Sequence, residues 1–160
     1  MNIGNKVVCV LILLGIIFSQ LPVADPVEFY LFCIPSAYCF AAPLSGGYFY
    51  LEPGQAVIAF ENYRILVPPS CSGMLFFLLL ALLFPIYRKW QYVIISYPIA
   101  LLANGLRIIA VSMWSIDFGT WIPLPGEFQH QFVGILIFLP VLLLIAFVLH
   151  LNSKCQKKEP

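Results

Sequence analysis

The stretch Ser72–Tyr87, SGMLFFLLLALLFPIY, followed at once by Arg88-Lys89 and a second apolar run from Trp90 to about Trp114, decides the class of fold. The first run carries no charged side chain and approaches the roughly 20 apolar residues with which an α-helix crosses a hydrocarbon core of about 30 Å. Two cations then turn the chain, and it re-enters. Two further runs, Val7–Ala24 behind Lys6 and about His130–Leu151, have the same character. The chain therefore reads as an all-α integral membrane protein with about four transmembrane helices, over 7–24, 72–87, 90–114 and 130–151.

Composition points the same way. The 160 residues are 62% hydrophobic and 9% charged, with a mean hydropathy of +0.97. Soluble domains have about 45–50% apolar and about 25% charged residues, so too little polar surface is present here to cover a globule in water. A net charge of +1 and no clustered basic face exclude nucleic-acid binding. The first run resembles a signal peptide, but Pro22-Val23-Ala24 is a poor small-x-small cleavage site and further spans follow, so it reads as a retained anchor.

Between the first two spans, residues 25–70 contain Pro26, Pro35, Pro43, Pro53, Pro68 and Pro69 and read as too broken to cross. Val27–Leu44 has the Phe and Tyr content of an interfacial helix. Gly46–Val67 has the Gly, Pro and β-branched or aromatic content of short extended pieces. The segment is expected to form an extracytoplasmic cap within a single domain, 1–160.

Cations collect in short cytoplasmic loops and ends. With the amino terminus inside, Lys6, Arg88, Lys89, Lys154, Lys157 and Lys158 lie in the cytoplasm, while Asp25, Glu28, Glu52, Glu61, Asp117 and Glu127 lie outside. Both termini are then cytoplasmic, in the cytoplasmic or inner membrane of the cell. Arg64 and Arg107 are left on the outer side.

Arg107 stands about 26 Å along a helix begun at Trp90, at the outer edge of the hydrocarbon. A cation there is costly and reads as functional, and Asn104 adds a second polar group one turn earlier on the same face. Cys71 opens the second span and His130 the fourth, so three reactive side chains share one membrane depth. In Val67-Pro-Pro-Ser-Cys-Ser-Gly73 the prolines end the extended piece, Ser70 reads as an N-cap, and Cys71 falls in the first helical turn, where the helix dipole and a nearby Arg favour a thiolate. Gly73 permits close approach of another backbone. The bland readings stand beside these: Cys71 as a small apolar residue, His130 as a solvated interfacial histidine, Arg107 as a snorkelling cation. Five cysteines with no C-x-x-C pair indicate neither a disulfide scaffold nor zinc, and no metal or cofactor is expected. Cys33 and Cys39 lie about 240° apart around a helix, on different faces, and read as packing residues.

Pro69-Ser-Cys71-Ser-Gly73, Ala103-Asn104-Gly-Leu-Arg107-Ile and His130-x-x-x-Gly134, in that order, resemble the exosortase/archaeosortase family of polytopic membrane proteases. Pro35-Ser-Ala and Leu44-Ser-Gly46 look like the family's stretch before the active-site helix, and the resemblance covers roughly residues 30 to 140. With one span before the cap, the chain looks like a minimal member. The resemblance implies a cysteine protease or transpeptidase that cleaves a carboxy-terminal sorting signal: a short motif, a transmembrane helix and a basic tail. Cys71 would be the nucleophile that forms a thioester, His130 the general acid and base, and Arg107 the stabiliser of the oxyanion, with Asn104 holding Arg107 in place. Its partners would be membrane-anchored substrate proteins and an acceptor, met on the extracytoplasmic side. Two other readings remain open: a non-catalytic membrane assembly or scaffold protein, and a thiol oxidoreductase, which the lack of a C-x-x-C pair disfavours.

Overall fold

The computed structural model describes residues 3–21, 24–68, 71–114 and 126–156, and the side chains of all of these except 3, 126–130 and 154–156. In chain order the elements are α1 (Ile3–Phe18), α2 (Asp25–Ser45), β1 (Tyr48–Glu52), β2 (Gln55–Ala59), β3 (Arg64–Val67), α3 (Met74–Ile86), α4 (Trp90–Met113) and α5 (Gly126–Gln156). The protein is mostly helical and the sheet is small. Among the described residues three helices are long and apolar enough to cross a bilayer: Asp25–Ser45, Trp90–Met113, and Gln131–Ser153 within α5. At 13 residues, or about 20 Å of helix, α3 is shorter than the hydrocarbon core, and α1 with 16 residues is also short of it.

The largest departure from expectation is α2. Its three prolines do not break it. Pro26, Pro35 and Pro43 each fall at the start of an α-helical turn, where a missing N–H costs least. Two wide π-type turns, Phe29–Cys33 and Ala37–Ala41, precede Pro35 and Pro43. There the Ile34 N–H bonds the Phe29 carbonyl and the Ala42 N–H bonds the Ala37 carbonyl, five residues back. The register widens just before each ring would meet a carbonyl, and the helix continues. So the stretch expected to be too broken to cross forms one 21-residue helix of crossing length. It ends at Gly46, whose φ of 75° provides the left-handed cap.

The first run also differs from its expected 7–24. Helix α1 ends at Phe18, where Ser19 Oγ turns back to donate to the Ile16 carbonyl. Beyond α3, Arg88 adopts φ 61° and the Lys89 N–H bonds the Phe84 carbonyl at 2.7 Å, closing the tight turn expected at the two cations.

The extended pieces expected in 46–67 form a three-stranded antiparallel sheet in the order β1-β2-β3. Pro53 and Gly54 (φ 78°) turn the first hairpin, pairing Glu52 with Gln55. The Phe60 N–H bonds the Tyr63 carbonyl at 2.9 Å to close the second. Alternate residues Ala56, Ile58 and Val67 pack with Phe29, Cys33, Ala37 and Ala41 of α2. Each fully buried Val or Ile in this layer contributes about 1.5–3 kcal/mol. Below it, α1 lies against α3 through Ile12 and Leu78, and Phe76 of α3 stacks on Phe138 of α5 at 4.3 Å between ring centroids. On its outer side α5 presents Ile135, Leu136, Leu139, Leu143 and Leu144, a surface suited to lipid.

Candidate active site

Cys71 lies in the link between β3 and α3, where its N–H bonds the Pro68 carbonyl at 3.0 Å in a short 3₁₀-type turn, and not in the first turn of α3. Helix α3 begins at Met74 with Gly73 as its N-cap, so the thiol sits ahead of the helix and outside the reach expected for its dipole. Ser70, expected as that cap, lies outside the described residues; the cap position belongs to Gly73. The Met74 N–H is served instead by Ser72 Oγ at 3.3 Å, and the Ser72 hydroxyl donates to the carboxylate of Glu28 at the start of α2.

Asn104 of α4 is completely buried beneath this link. Its Nδ2 donates to the Cys71 carbonyl at 2.7 Å and to the Ser72 carbonyl at 3.0 Å. Asn104 was expected to hold Arg107; it holds the cysteine's own backbone. Gly73 makes the fit possible. A Cβ there would stand 2.9 Å from Asn104 Cγ and 3.1 Å from its Oδ1, and the residue's φ of 73° also favours glycine.

Arg107, one turn above Asn104 on α4, is half-buried and is positioned from two sides. Its guanidinium carbon lies 5.6 Å from the centroid of the Phe138 ring, a cation–π arrangement. A Cβ on Gly134 of α5 would lie 3.4 Å from its Nε, so the absence of a side chain at 134 lets α5 come up against the cation. Its Nε has no hydrogen-bond partner among the described residues. His130 belongs to α5 one turn before Gly134; its side chain lies outside the described residues.

Two cavities meet at this cation. One, of about 310 Å³, lies between β3 and the C-terminal half of α4 and is lined by Arg64, Leu66, Cys71, Arg107 and Ile108 among others. The other, of about 630 Å³, opens between α3 and α5, with Phe76, Ile135 and Leu139 on its walls and Glu28, Ser72, Arg107 and Gln131 at its polar end. Arg107 lines both. The sequence reading missed Glu28 as part of the site; the only signal was an acid at the head of α2. Ser72, conceivable in the sequence as a serine nucleophile, instead bonds Glu28 and the start of α3.

Cys71 is 7% exposed. Burial pushes its thiol above the ordinary range, and the nearby Arg107 pulls it part of the way back. An attack on a carbonyl by this thiol goes with a base that takes its proton. Cys33 packs in the same cluster, its thiol donating to the carbonyls of Val67 at 3.6 Å and Pro68 at 3.5 Å. Cys39, exposed where Cys33 is buried, faces the other way, as their spacing predicted. Among the described residues no group of His, Cys, Asp and Glu is arranged to hold a metal.

Compared with known families, the chain matches the model described as transmembrane exosortase (Exosortase_EpsH) over residues 36–147. That range takes in the β-sheet, the Cys71 link, Asn104, Arg107 and Gly134. No curated protein and no solved structure matches the chain.

Proposed function

The chain belongs to the transmembrane exosortase family, and we propose that it is a membrane-embedded cysteine peptidase or transpeptidase that cleaves the carboxy-terminal sorting signals of exported proteins. The observation that carries this reading is the shared cavity: Cys71 and Arg107, from separate elements, line one cleft, and Asn104 fixes the backbone of Cys71 and Ser72.

In this scheme Cys71 Sγ attacks the scissile carbonyl and a thioester forms as the amine leaves. His130, on the helix that meets Arg107, takes the Sγ proton as general base and passes it to the leaving amine. Arg107 stabilises the developing oxyanion at a partly dry site, where a fixed charge acts more strongly than in bulk water. Water or an acceptor nucleophile then releases the acyl group. The larger cavity, apolar along α3 and α5 and polar where it reaches Arg107, suits a substrate's own transmembrane helix with the cleavage motif just above it. A substrate held in the same bilayer is already confined in two dimensions, which lowers the cost of association. The site would face the extracytoplasmic side, and the partners would be membrane-anchored proteins ending in a motif, an apolar helix and a basic tail.

The experiment is processing of such a protein in cells, followed by its size shift on an immunoblot. Cys71→Ala and Cys71→Ser are expected to abolish the shift while the variants insert normally. Full processing by Cys71→Ala ends the cysteine mechanism and leaves the assembly or scaffold reading.

A further inference from the structure

Strand β3 is the terminal strand of the sheet, and its outer edge forms a wall of the cleft that holds Cys71 and Arg107. The direction of its main-chain groups follows from the ladder. The Phe60 N–H to Tyr63 carbonyl bond makes that pair a hydrogen-bonded one. Antiparallel ladders alternate, so with Ala59 opposite Arg64, Ile58 opposite Ile65, Val57 opposite Leu66 and Ala56 opposite Val67, residues 65 and 67 bond to β2. The N–H and C=O of Arg64 and Leu66 therefore point away from β2, and no backbone partner meets them among the described residues. Four residues beyond Val67, the chain reaches Cys71.

Resting on the peptidase reading above, we infer that the free edge of β3 binds the substrate's cleavage segment as an added strand, placing the next peptide bond between Cys71 and Arg107. The occupant is an extended polypeptide, recognised chiefly through its main chain. Its direction follows from the two cavities. The part beyond the cleaved bond must lead past Arg107 into the apolar cavity between α3 and α5, so the part before it lies along β3 and runs toward Cys71, parallel to the strand. In a parallel ladder Leu66 donates to one substrate carbonyl and accepts from the N–H two residues further on. Every second substrate amide then faces β3 and the amides between do not. Unpaired edges invite such pairing, and among the described residues nothing pairs with this one or breaks it with a bulge where it lines the cleft.

The test uses the full chain in lipid nanodiscs and three peptide probes that react with thiols: acetyl-tetraalanine vinyl sulfone and two analogues, each N-methylated at one of two adjacent amides. The rate of adduct formation at Cys71 is followed by mass mapping, with chloroacetamide as a small reagent that needs no strand pairing. One N-methyl analogue is expected to label Cys71 about tenfold more slowly than the parent and its neighbour at close to the parent rate, the loss matching one or two hydrogen bonds. Leu66→Pro removes an outward N–H without touching the β2 ladder and is expected to slow the parent probe to a similar degree while chloroacetamide labelling holds. Equal rates for all three probes on the unaltered chain overturn the inference, whatever Leu66→Pro does to the fold. So does a chain that pairs edge to edge with a second copy and becomes monomeric in Leu66→Pro with unchanged probe rates. If the probes label alike while Cys71→Ala abolishes processing, the edge proposal falls and the peptidase reading stands; processing by Cys71→Ala removes both.

Discussion

Replacing Gly73 by alanine tests the packing that holds the cysteine in place. The new Cβ meets Asn104 Cγ at 2.9 Å and its Cβ and Oδ1 at 3.1 Å, closer than carbon contacts tolerate. Overpacking of this kind costs about 1–3 kcal/mol, and holding alanine at a φ of 73° adds about 1–2 kcal/mol. Asn104→Ala removes the bonds to the Cys71 and Ser72 carbonyls and strands those acceptors, a loss of about 2–4 kcal/mol. If the two sites were independent, the double variant would show the sum. It lacks Asn104 Cγ and Oδ1, two of the three atoms the new Cβ meets, and keeps only the Cβ contact at 3.1 Å, so its loss should fall short of the sum by the larger part of the overpacking cost, about 1–2 kcal/mol. The assay is unfolding in mixed micelles of rising SDS fraction, read by pulse proteolysis for wild type, both single variants and the double. Additivity within about 0.5 kcal/mol would refute the reasoning, because it would mean that Asn104 does not lie over Gly73.

Arg107→Lys should lose processing by at least about a hundredfold although the charge is kept, since an ammonium cannot reproduce the planar fork at an oxyanion or its stacking on Phe138; near-normal immunoblot conversion would contradict this. Burial raises the Cys71 thiol and Arg107 lowers it, so the iodoacetamide labelling rate at Cys71 should keep climbing with pH beyond the ordinary thiol range. Arg107→Gln, which removes the lowering influence, should move that rise to still higher pH; a plateau reached below the ordinary thiol range would show the opposite sign. Gly134→Val places a branched side chain where a Cβ already lies 3.4 Å from Arg107 Nε, and should cut processing about tenfold or more while Gly134→Ala is far milder, compared by the same immunoblot at equal membrane levels.

Much of this organisation could be read from residue types. The uninterrupted apolar runs on either side of Arg88-Lys89 required a membrane protein, and the Gly- and aromatic-rich 46–67 stretch did become extended structure. The isolated polar positions Asn104 and Arg107 and the small residue Gly73 were conspicuous because lipid-facing helices have no use for them, and all three line or support the cleft at Cys71. What escaped was geometry that composition does not encode. An interfacial helix was expected over 27–44, but proline counts argue against one long enough to cross; the spacing of the rings lets wide turns absorb them, and nothing in the residue types marks a π-type turn. The cap of α3 was assigned to Ser70 by propensity, but a left-handed glycine at 73 sets the boundary, and this moved Cys71 out of the helix. Asn104 was given the nearer charged partner along its own helix. Its actual bonds run to a segment more than 30 residues away, a pairing that only the folded chain creates.

The guanidinium shared by the two cavities has a consequence for the host's permeability barrier. In a bilayer, a furrow with mostly apolar walls beside a more polar chamber is a weak point through which sodium ions or hydronium could short-circuit the membrane potential. With a fixed positive charge at the place where the two come together, small cations are repelled from that neck, much as arginines exclude them from water channels. A polypeptide without a positive charge at that point passes unopposed, so a residue proposed to act in the chemistry would also discourage small cations from moving between the two cavities.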